Sequence, residues 1–322
     1  MNLSVIICTH NPRKDYLTRT LDALKAQTLP KEQWELLLID NASAEPLAGQ
    51  RDLSWHPGAR HIREEMLGLT PARLRGIREA GAELLVFVDD DNVLAPDYLE
   101  QAVHIGHQRP YFGMWGGACL PEYETPPPDW AKPYMNYFAL FRVPRTVWSN
   151  LKSNATRPVG AGMCIRRQIA KEYASVVATD PLRLLLDRKG TQLTGCGDDD
   201  MAYVCVNMGF ATARCSCLSL KHLIPASRFE INYMARMVEG TAYSSTILAA
   251  IHSEPSLEIE KAVPAMRRSL LLRLICRIQA RLEAMANGCE KETIRQAGVR
   301  GHLKALACLR AMGTESIDKC KL

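Results

Sequence analysis

The sequence predicts a Rossmann-like α/β fold, in which a mostly parallel central sheet carries helices on both faces and a helical C-terminal extension follows. The first observation is that short apolar runs alternate with stretches of helical periodicity, as in doubly wound sheets. The second is the run Leu84–Val88, which is apolar throughout and is typical of strands buried on both faces. The third is that polar clusters directly follow the strands, where ligands bind in sheets of this kind.

Length and composition allow one large domain with an appendage. The chain has 322 residues, 47% of them hydrophobic, and we place the α/β domain at 1–228 and the helical extension at 229–322. Eleven cysteines without a disulfide-scaffold rhythm, after a start that lacks the features of a signal peptide, predict a cytoplasmic location. No apolar run approaches the roughly 20 residues needed to span a bilayer.

The first half of the chain reads as strand, helix, strand, loop, helix and strand. A proline directly after the first strand and another after the first helix mark the ends of these elements. The expected elements are a strand at Ser4–Cys8, a helix with Leu17, Leu21 and Leu24 on one face, a strand at Trp34–Ile39, a short strand near His61, a helix with Thr70 as N-cap, Pro71 as first residue and Gly81 as left-handed end, and the strand Leu84–Val88.

The second half continues the alternation and ends in helices. Residues 121–158 are rich in proline and aromatic side chains without clear periodicity, which predicts a functional loop or lid. Helices are expected at Asp97–Gln108, after residue 197 with an end at Gly209, and near 229–252, 261–286 and 291–312. Strands are expected at Met114–Leu120, Val159–Ile165 and Ala211–Leu220.

Three adjacent carboxylates, Asp89, Asp90 and Asp91, follow the most apolar strand. Adjacent carboxylates repel one another, and a bound divalent cation would relieve that repulsion, because hard cations take oxygen ligands. The alternative is a polar turn that leads into the next helix, near Pro96.

A second acidic triplet, Asp198 to Asp200, opens a predicted helix. Carboxylates in the first turn are favoured by the helix dipole by about 0.3–1 kcal/mol, which is a purely structural explanation for this triplet. The sequence contains no P-loop, and no Gly-x-Gly-x-x-Gly follows the first strand, so hydride transfer with NAD is not favoured. A nucleotide diphosphate could still bind if a metal ion neutralised it.

Four blocks of sequence, in order and with matching spacing, are very similar to the N-terminal half of family 2 glycosyltransferases with the GT-A fold. The resemblance covers about residues 1–230, in which 1–118 would be the nucleotide-binding half and 119–228 the acceptor-binding half. The blocks are Val5-Ile6-Ile7-Cys8-Thr9-His10-Asn11, Leu37-Leu38-Ile39-Asp40-Asn41-Ala42-Ser43, Ala72-Arg73-x-x-Gly76 and Phe87-Val88-Asp89-Asp90-Asp91-Asn92.

The resemblance implies a site for a nucleotide sugar, with uridine as the expected base. Thr9, His10, Asn11 and Asp40 would line the base pocket, Arg73 would lie near the ribose or diphosphate, and Asp89 or Asp90 would contact the ribose. Asp91 would bind Mg²⁺ or Mn²⁺. His222, which follows the last strand, resembles an additional metal ligand of some members, although a single histidine is as often structural.

The resemblance also implies inversion at the anomeric carbon, which needs a general base for the acceptor hydroxyl. The usual motif is Glu-Asp-x-Asp. Here Gly197 stands in place of the Glu, Asp200 matches the last acid, and Asp198 is the expected base with Asp199 as second candidate.

Small and aromatic residues are the candidates for contacts with the sugars. Gly160-Ala161-Gly162 resembles the segment beneath the donor sugar, with Gly162 as the candidate contact, although tight strand packing explains it equally well. Asp200 is assigned to the same region. Trp130 and Tyr134 in the long loop could stack on a sugar ring or pack against the core.

The C-terminal region is basic. Residues 261–322 contain thirteen Lys or Arg against five Asp or Glu, whereas the whole chain has a net charge of +5. An apolar stripe over 271–285 next to Arg273, Arg277 and Arg281 predicts either peripheral contact with an anionic membrane or a helix packed on the domain with its arginines in water. Nucleic-acid binding is not expected, because aromatic residues do not interleave with the arginines.

Together these features predict a metal-dependent inverting glycosyltransferase that moves a sugar from a UDP-sugar to a saccharide, a polysaccharide precursor or a lipid-linked acceptor. Two alternatives remain. A sugar nucleotidyltransferase normally has a Gly-rich loop with Lys or Arg after the first strand, which Thr9-His10-Asn11-Pro12 is not. A non-catalytic saccharide-binding or assembly protein on the same fold is supported only by the missing Glu at Gly197.

Overall fold

Strands and helices alternate along the chain in the computed structural model, which describes residues 2–252 and 289–312. The strands are β1 (Leu3–Thr9), β2 (Trp34–Asn41), β3 (Ala59–Glu64), β4 (Leu84–Val88), β5 (Asn92–Leu94), β6 (Phe112–Tyr123), β7 (Val147–Ser149), β8 (Met163–Arg166), β9 (Asp187–Lys189), β10 (Gln192–Gly195) and β11 (Ala211–Ile224). The helices are α1 (Lys14–Lys25), α2 (Leu69–Glu79), α3 (Tyr98–Gln108), α4 (Arg167–Thr179), α5 (Gly197–Asn207), α6 (Ile231–Ile251) and α7 (Cys289–Ala311). Short 3-10 helices lie at Lys31–Gln33, Leu47–Gly49, Asp129–Phe138, Pro181–Leu185 and Ala226–Phe229.

Within the described residues the chain divides into two units, each of which is discontinuous in sequence. Unit 1 comprises Met1–Glu124, Phe138–Pro181 and Gly197–Ile224, and unit 2 comprises Thr125–Tyr137, Leu182–Cys196 and the described residues from Pro225 on. In unit 2, α6 packs against α7 and against the β9–β10 hairpin. The predicted division between 1–228 and 229–322 stays a prediction.

The central sheet of unit 1 is mixed but mostly parallel. Over the described part of the chain it has nine strands in the order β3-β2-β1-β4-β8-β6-β11-β5, with β7 also paired to β11. β1 pairs in parallel with both β2 and β4, and β6 pairs in parallel with β11. The antiparallel strands are β8, which lies between β4 and β6, and the short β5 and β7. The predicted doubly wound sheet is therefore interrupted by antiparallel strands beyond β4.

Two apolar cores cover the two faces of this sheet, because consecutive residues of a strand point to opposite faces. Val5 of β1 packs in one core with the leucines of α1 and with α3. Ile6 packs in the other core with Ile77 of α2, Ile169 of α4 and Met201 of α5. The sequence prediction of helices on both faces is confirmed.

Several element boundaries differ from the prediction. α2 begins at Leu69 with Gly68 as its N-cap, so Thr70 is not the cap, and it ends at Glu79 without a left-handed residue at Gly81. β11 runs on to Ile224, so His222 lies inside the strand and not after it. Parallel pairing with β6 continues to Ile224, and residues 220–222 also pair antiparallel with the unpredicted strand β5, which accounts for this extension.

The proline-rich segment contains regular secondary structure. Residues 121–158 are not an irregular loop, since they hold the end of β6, the 3-10 helix Asp129–Phe138 and β7. The predicted helix at 261–286, with its stripe and its arginines, lies outside the described residues. Among the helices that the structure describes, none has the length and apolar character needed to cross a membrane.

Gly117 shows why the glycines of β6 matter for the sheet. A Cβ atom at Gly117 would lie 2.1 Å from the carbonyl oxygen of Leu218, because β11 approaches closely where its register shifts. We expect Gly117→Ala to lower the free energy of unfolding by about 1–3 kcal/mol, as overpacking does elsewhere. Urea unfolding measures this, with Gly49→Ala as control, because nothing lies within 4 Å of a Cβ there. Equal stability of the two variants would contradict the assigned approach of the strands.

Candidate functional site

The carboxyl ends of β1, β2 and β4 bring the predicted nucleotide residues together. Thr9 is paired with Asp40 in the parallel register of β1 and β2. The hydroxyl of Thr9 also donates a hydrogen bond to the carboxylate of Asp90, in the turn after β4. Three separate stretches of sequence therefore meet at one edge of the sheet, as predicted from the polar residues that follow each strand.

Asp40 is buried and accepts three hydrogen bonds. Its donors are the backbone N–H groups of Ser43 and Leu47, both at 3.1 Å, and the guanidinium of Arg63 at 2.8 Å. Burial raises the pKa of Asp40, but the hydrogen bonds from Ser43, Leu47 and Arg63 outweigh it and lower the pKa below its usual value. Arg63 was not assigned to the site from sequence, because only the parallel pairing of β2 with β3 places it opposite Asp40.

His10 and Asn11 form a rigid polar corner beside this carboxylate. The Nδ1–H group of His10 donates to the carbonyl of Asn41 at 2.7 Å, and its Nε2 accepts from the Asn11 amide at 3.0 Å. Asn11 has a φ of 49°, and its side-chain oxygen accepts the N–H of Ala44 at 2.8 Å. Both ring nitrogens of His10 are therefore engaged, while the residue remains exposed.

The first acidic triplet forms the turn between β4 and β5, and Asn92 holds it in place. The side chain of Asn92 is completely buried, accepts the N–H of Asp89 at 3.1 Å and donates to Asp91 Oδ1 at 3.0 Å. Asn92 therefore orients the predicted metal ligand Asp91. Its position immediately after the triplet was the only signal for this role in the sequence.

Asp91 and His222 lie side by side, because β5 pairs with β11 and puts His222 opposite Asn92. His222 Nε2 is 3.3 Å from Asp91 Oδ2, and both side chains are largely buried. The Nδ1 atom of His222 lies 3.2 Å from the carbonyl oxygen of Phe138, which can only accept, so Nδ1 carries a proton. Nε2 and the carboxylate then face each other as two acceptors unless a proton or a cation lies between them.

This pair fits a divalent metal ion in its chemistry. Carboxylate oxygens suit Mg²⁺ and Mn²⁺, and a neutral imidazole nitrogen adds affinity for transition ions. Within the described part of the chain, no group of three or more His, Cys, Asp or Glu side chains is gathered in a metal-binding arrangement.

The second triplet begins α5 and its three carboxylates have different surroundings. Asp198 Oδ2 accepts the backbone N–H of Gly160 at 2.8 Å, and Oδ1 accepts the N–H of Asp199 at 3.0 Å. Asp199 forms an ion pair with Arg157 at 2.7 Å. Asp200 is completely buried. Asp198 is therefore oriented by uncharged backbone donors, whereas Asp199 is paired with a cation.

The small-residue segment joins the two halves of the predicted site. Arg73 is buried against Gly160, since a Cβ atom there would lie 2.5 Å from Arg73 Nη2 and 3.7 Å from Asp198 Oδ2. Gly162 has a φ of +69°, in the region that favours glycine. The predicted diphosphate contact and the predicted base are thus neighbours of a single glycine. Trp130 and Tyr134 belong to unit 2.

Replacing Arg63 by Gln should flatten the dependence of stability on pH in acid. Since the pKa of Asp40 is lowered in the folded protein, its contribution to stability is present above the unfolded-state pKa and is lost as pH falls through the folded-state value. Without Arg63 that pKa rises toward its ordinary value, so less stability is lost between about pH 7 and about pH 3. Urea unfolding across this range measures the effect, and Arg78→Gln, at an exposed position of α2, is the control. An unchanged pH dependence would contradict the role of Arg63.

Comparison with known proteins agrees with this geometry. A family model for glycosyl transferase family 2 matches residues 4–174. The glucosyl-dolichyl phosphate glucuronosyltransferase of Haloferax volcanii is 24% identical over 132 residues, which cover 40% of this chain and 42% of that protein. Glycosyltransferase AglE of the same organism is 31% identical over 104 residues, covering 31% of this chain and 34% of that protein. The matched stretches span less than half the length of these relatives.

Solved structures share the fold. The structure of S. aureus TarS 1–349 has a TM-score of 0.52 and 15% identity, and covers 97% of this chain and 92% of that one. The same TarS fragment in complex with UDP-GlcNAc has a TM-score of 0.51 and 14% identity, with the same coverage. Since the family model spans more than half of the chain, and the sheet is the mostly parallel GT-A sheet predicted from the sequence, the protein belongs to glycosyl transferase family 2.

Proposed function

We propose that the protein is an inverting glycosyltransferase that moves a sugar from a UDP-linked donor to a hydroxyl of a saccharide, a polysaccharide precursor or a lipid-linked acceptor. The observation that carries this proposal is the position of Gly160 between Arg73, a candidate diphosphate contact, and Asp198, a candidate base. A transfer reaction needs both groups within one sugar's width of each other, because the bond to the diphosphate breaks as the acceptor oxygen attacks. The binding of UDP and UDP-GlcNAc by TarS supports the choice of donor.

The chain's own residues would bind and orient the nucleotide. The exposed face of His10 would support the base, while Thr9 and the ionised Asp40 would offer oxygen atoms to its polar edge. Asp40 stays ionised because Arg63 and backbone N–H groups stabilise its charge. The buried guanidinium of Arg73 would neutralise part of the diphosphate charge.

Asp91 and His222 would hold Mg²⁺ or Mn²⁺ between the protein and the diphosphate. When bound, such an ion would act as a Lewis acid that stabilises the leaving diphosphate. Asn92 would keep Asp91 in the orientation that lets one oxygen face His222.

Asp198 would take the proton of the acceptor hydroxyl. Its carboxylate is oriented by two backbone N–H groups, whereas Asp199 is held by Arg157. A neutral donor orients a carboxylate without cancelling its charge, so Asp198 remains the better proton acceptor. The cytoplasmic location and the peripheral membrane contact of the C-terminal helices stay predictions.

Two other functions are alternatives to this one. The fold would also suit a saccharide-binding protein without activity, in which the acidic groups would serve binding alone. A nucleotidyltransferase is less consistent with the site, because the corner after β1 is built from His10 and Asn11 and is not a Gly-rich loop. Release of UDP from a UDP-sugar distinguishes the proposed transferase from both.

A nucleotide panel with and without Mn²⁺ tests the donor site. We expect UDP with Mn²⁺ to raise the melting temperature, since a ligand at about 100 times its dissociation constant adds roughly 2.7 kcal/mol to the stability of the folded state. Asp91→Asn should remove the part of the shift that depends on Mn²⁺. Asp22→Asn, at an exposed position of α1, should leave it intact. If no nucleotide diphosphate shifts the wild-type protein, the donor site is wrong and the binding-protein alternative gains support.

Paired variants of the second triplet test the base. We expect Asp198→Asn to lower kcat for UDP release by about 10²–10⁴-fold, the usual contribution of a general base. Asp199→Asn removes a carboxylate of the same size one residue away and should lower kcat less than about tenfold. Both variants are assayed with the same UDP-sugar and acceptor panels, and their melting temperatures are compared with the wild type. A larger loss in Asp199→Asn would transfer the role of base to that residue.

A further inference from the structure

The turn from Gly160 to Gly162 is held at both ends by groups outside it. At one end, the backbone N–H of Gly160 donates to Asp198 Oδ2 at 2.8 Å. At the other, the carbonyl oxygen of Gly162 accepts a hydrogen bond of 2.6 Å from the phenol of Tyr98. The turn therefore connects the candidate base to a residue that was not among the predicted site residues.

Tyr98 is a fixed anchor for this turn. It is the first residue of α3, is completely buried, and packs in the core shared by α1, α3 and β4. The turn rests directly on its hydroxyl, because a Cβ atom at Gly162 would lie 2.6 Å from that oxygen. Close packing in this core leaves the phenol little freedom to move.

The phenol is also the main donor to the Gly162 carbonyl. Burial raises the pKa of Tyr98 well above its usual value, so its hydroxyl keeps its proton. The thiol of Cys164 lies 3.8 Å from the same carbonyl and is a weak donor. Gly162 has left-handed backbone torsion angles, and glycine adopts several such conformations at similar cost. A contact from outside the turn must therefore select the conformation that Gly162 adopts.

We propose that Tyr98 is a positioning residue for the transfer reaction, which holds the Gly160–Gly162 turn so that the Gly160 N–H group orients the Asp198 carboxylate. This inference rests on the proposed function, in which Asp198 is the base. Tyr98 touches neither donor nor acceptor, so its loss changes the orientation of the base and not the affinity for the nucleotide. Misplacement of a reacting group by a fraction of an ångström lowers the rate steeply.

The first arm of the test is kinetic. We expect Tyr98→Phe to lower kcat for UDP release by roughly ten- to hundredfold. The KM for the UDP-sugar should stay within about a factor of two, because uniform binding is not changed. Tyr173→Phe is the matched control, since Tyr173 is a completely buried tyrosine of α4 in the other core, and it should keep the wild-type kcat.

The second arm reads the contact directly and needs no substrate. In protein labelled with ¹⁵N at its glycines, the amide proton of Gly160 should be shifted downfield by its hydrogen bond to a carboxylate, and Asp198→Asn should move that signal and so identify it. We expect Tyr98→Phe to move the same signal toward its position in Asp198→Asn. Gly162→Ala provides a second variant, because its Cβ atom displaces the turn while the phenol remains.

The outcomes separate this inference from the proposed function. A wild-type protein that releases UDP, together with a Tyr98→Phe variant that keeps both the kcat and the Gly160 signal of the wild type, overturns the inference. The inference is also wrong if Tyr173→Phe lowers kcat as much as Tyr98→Phe. If the wild-type protein releases UDP from no UDP-sugar, the proposed function fails, and the Gly160 signal in Tyr98→Phe still decides whether Tyr98 holds the turn.

Discussion

The parallel register of β1 between β2 and β4 is the constraint on which the site depends. Backbone hydrogen bonds fix this register over most of the length of β1, and its buried side chains oppose a shift, because a shift by one residue would exchange side chains between two closely packed cores. Once this register is set, Thr9 must lie beside Asp40 of β2. The turn that contains Asp90 must then begin at the end of β4, the other neighbour of β1. The predicted nucleotide residues are therefore positioned by the core, and their own contacts refine an arrangement that the strands impose.

Bringing so many carboxylates to one edge of a sheet would destabilise the fold unless each is compensated, and the kind of compensation differs with its position. Asp40 is paired with Arg63, and Asp199 with Arg157, so their charges are largely cancelled. Asp198 is held by backbone N–H groups, which orient the carboxylate but leave its charge. A carboxylate of the second kind can accept a proton or attract a cation, whereas one of the first kind stays ionised and is suited to structure or to hydrogen bonding with a ligand. This distinction favours Asp198 over Asp199 as the base more directly than the alignment of the motif does.

The sequence predicted those parts of the site that follow directly from apolar strands, and missed those that need pairing between distant segments. The ends of β1, β2 and β4 were recognisable because each buried run stops at a polar cluster. Arg63 was missed because only the pairing of β2 with β3 puts it opposite Asp40, and β5 was missed because three residues are too few for any periodicity. His222, which the pairing of β5 with β11 puts beside Asp91, was expected there only from the family resemblance. The left-handed end expected at Gly81 did not form, since Ala80 leaves α2 in an extended conformation and leads straight toward β4. There the path of the chain into the sheet determined the backbone conformation, and the preference of glycine for a left-handed helix end did not.

Gly160 connects Arg73, the predicted diphosphate contact, with Asp198, the predicted base. A side chain at this position would collide with Arg73, so the absence of one lets a cation for the diphosphate pack against the backbone whose N–H group orients Asp198. The donor side and the acceptor side of the site then share a single rigid turn, and a displacement at either end is transmitted to the other through bonded atoms. In such a site the geometry of the base cannot be tuned separately from that of the diphosphate contact. We therefore expect buried residues beneath the turn to influence the proposed reaction without touching a substrate.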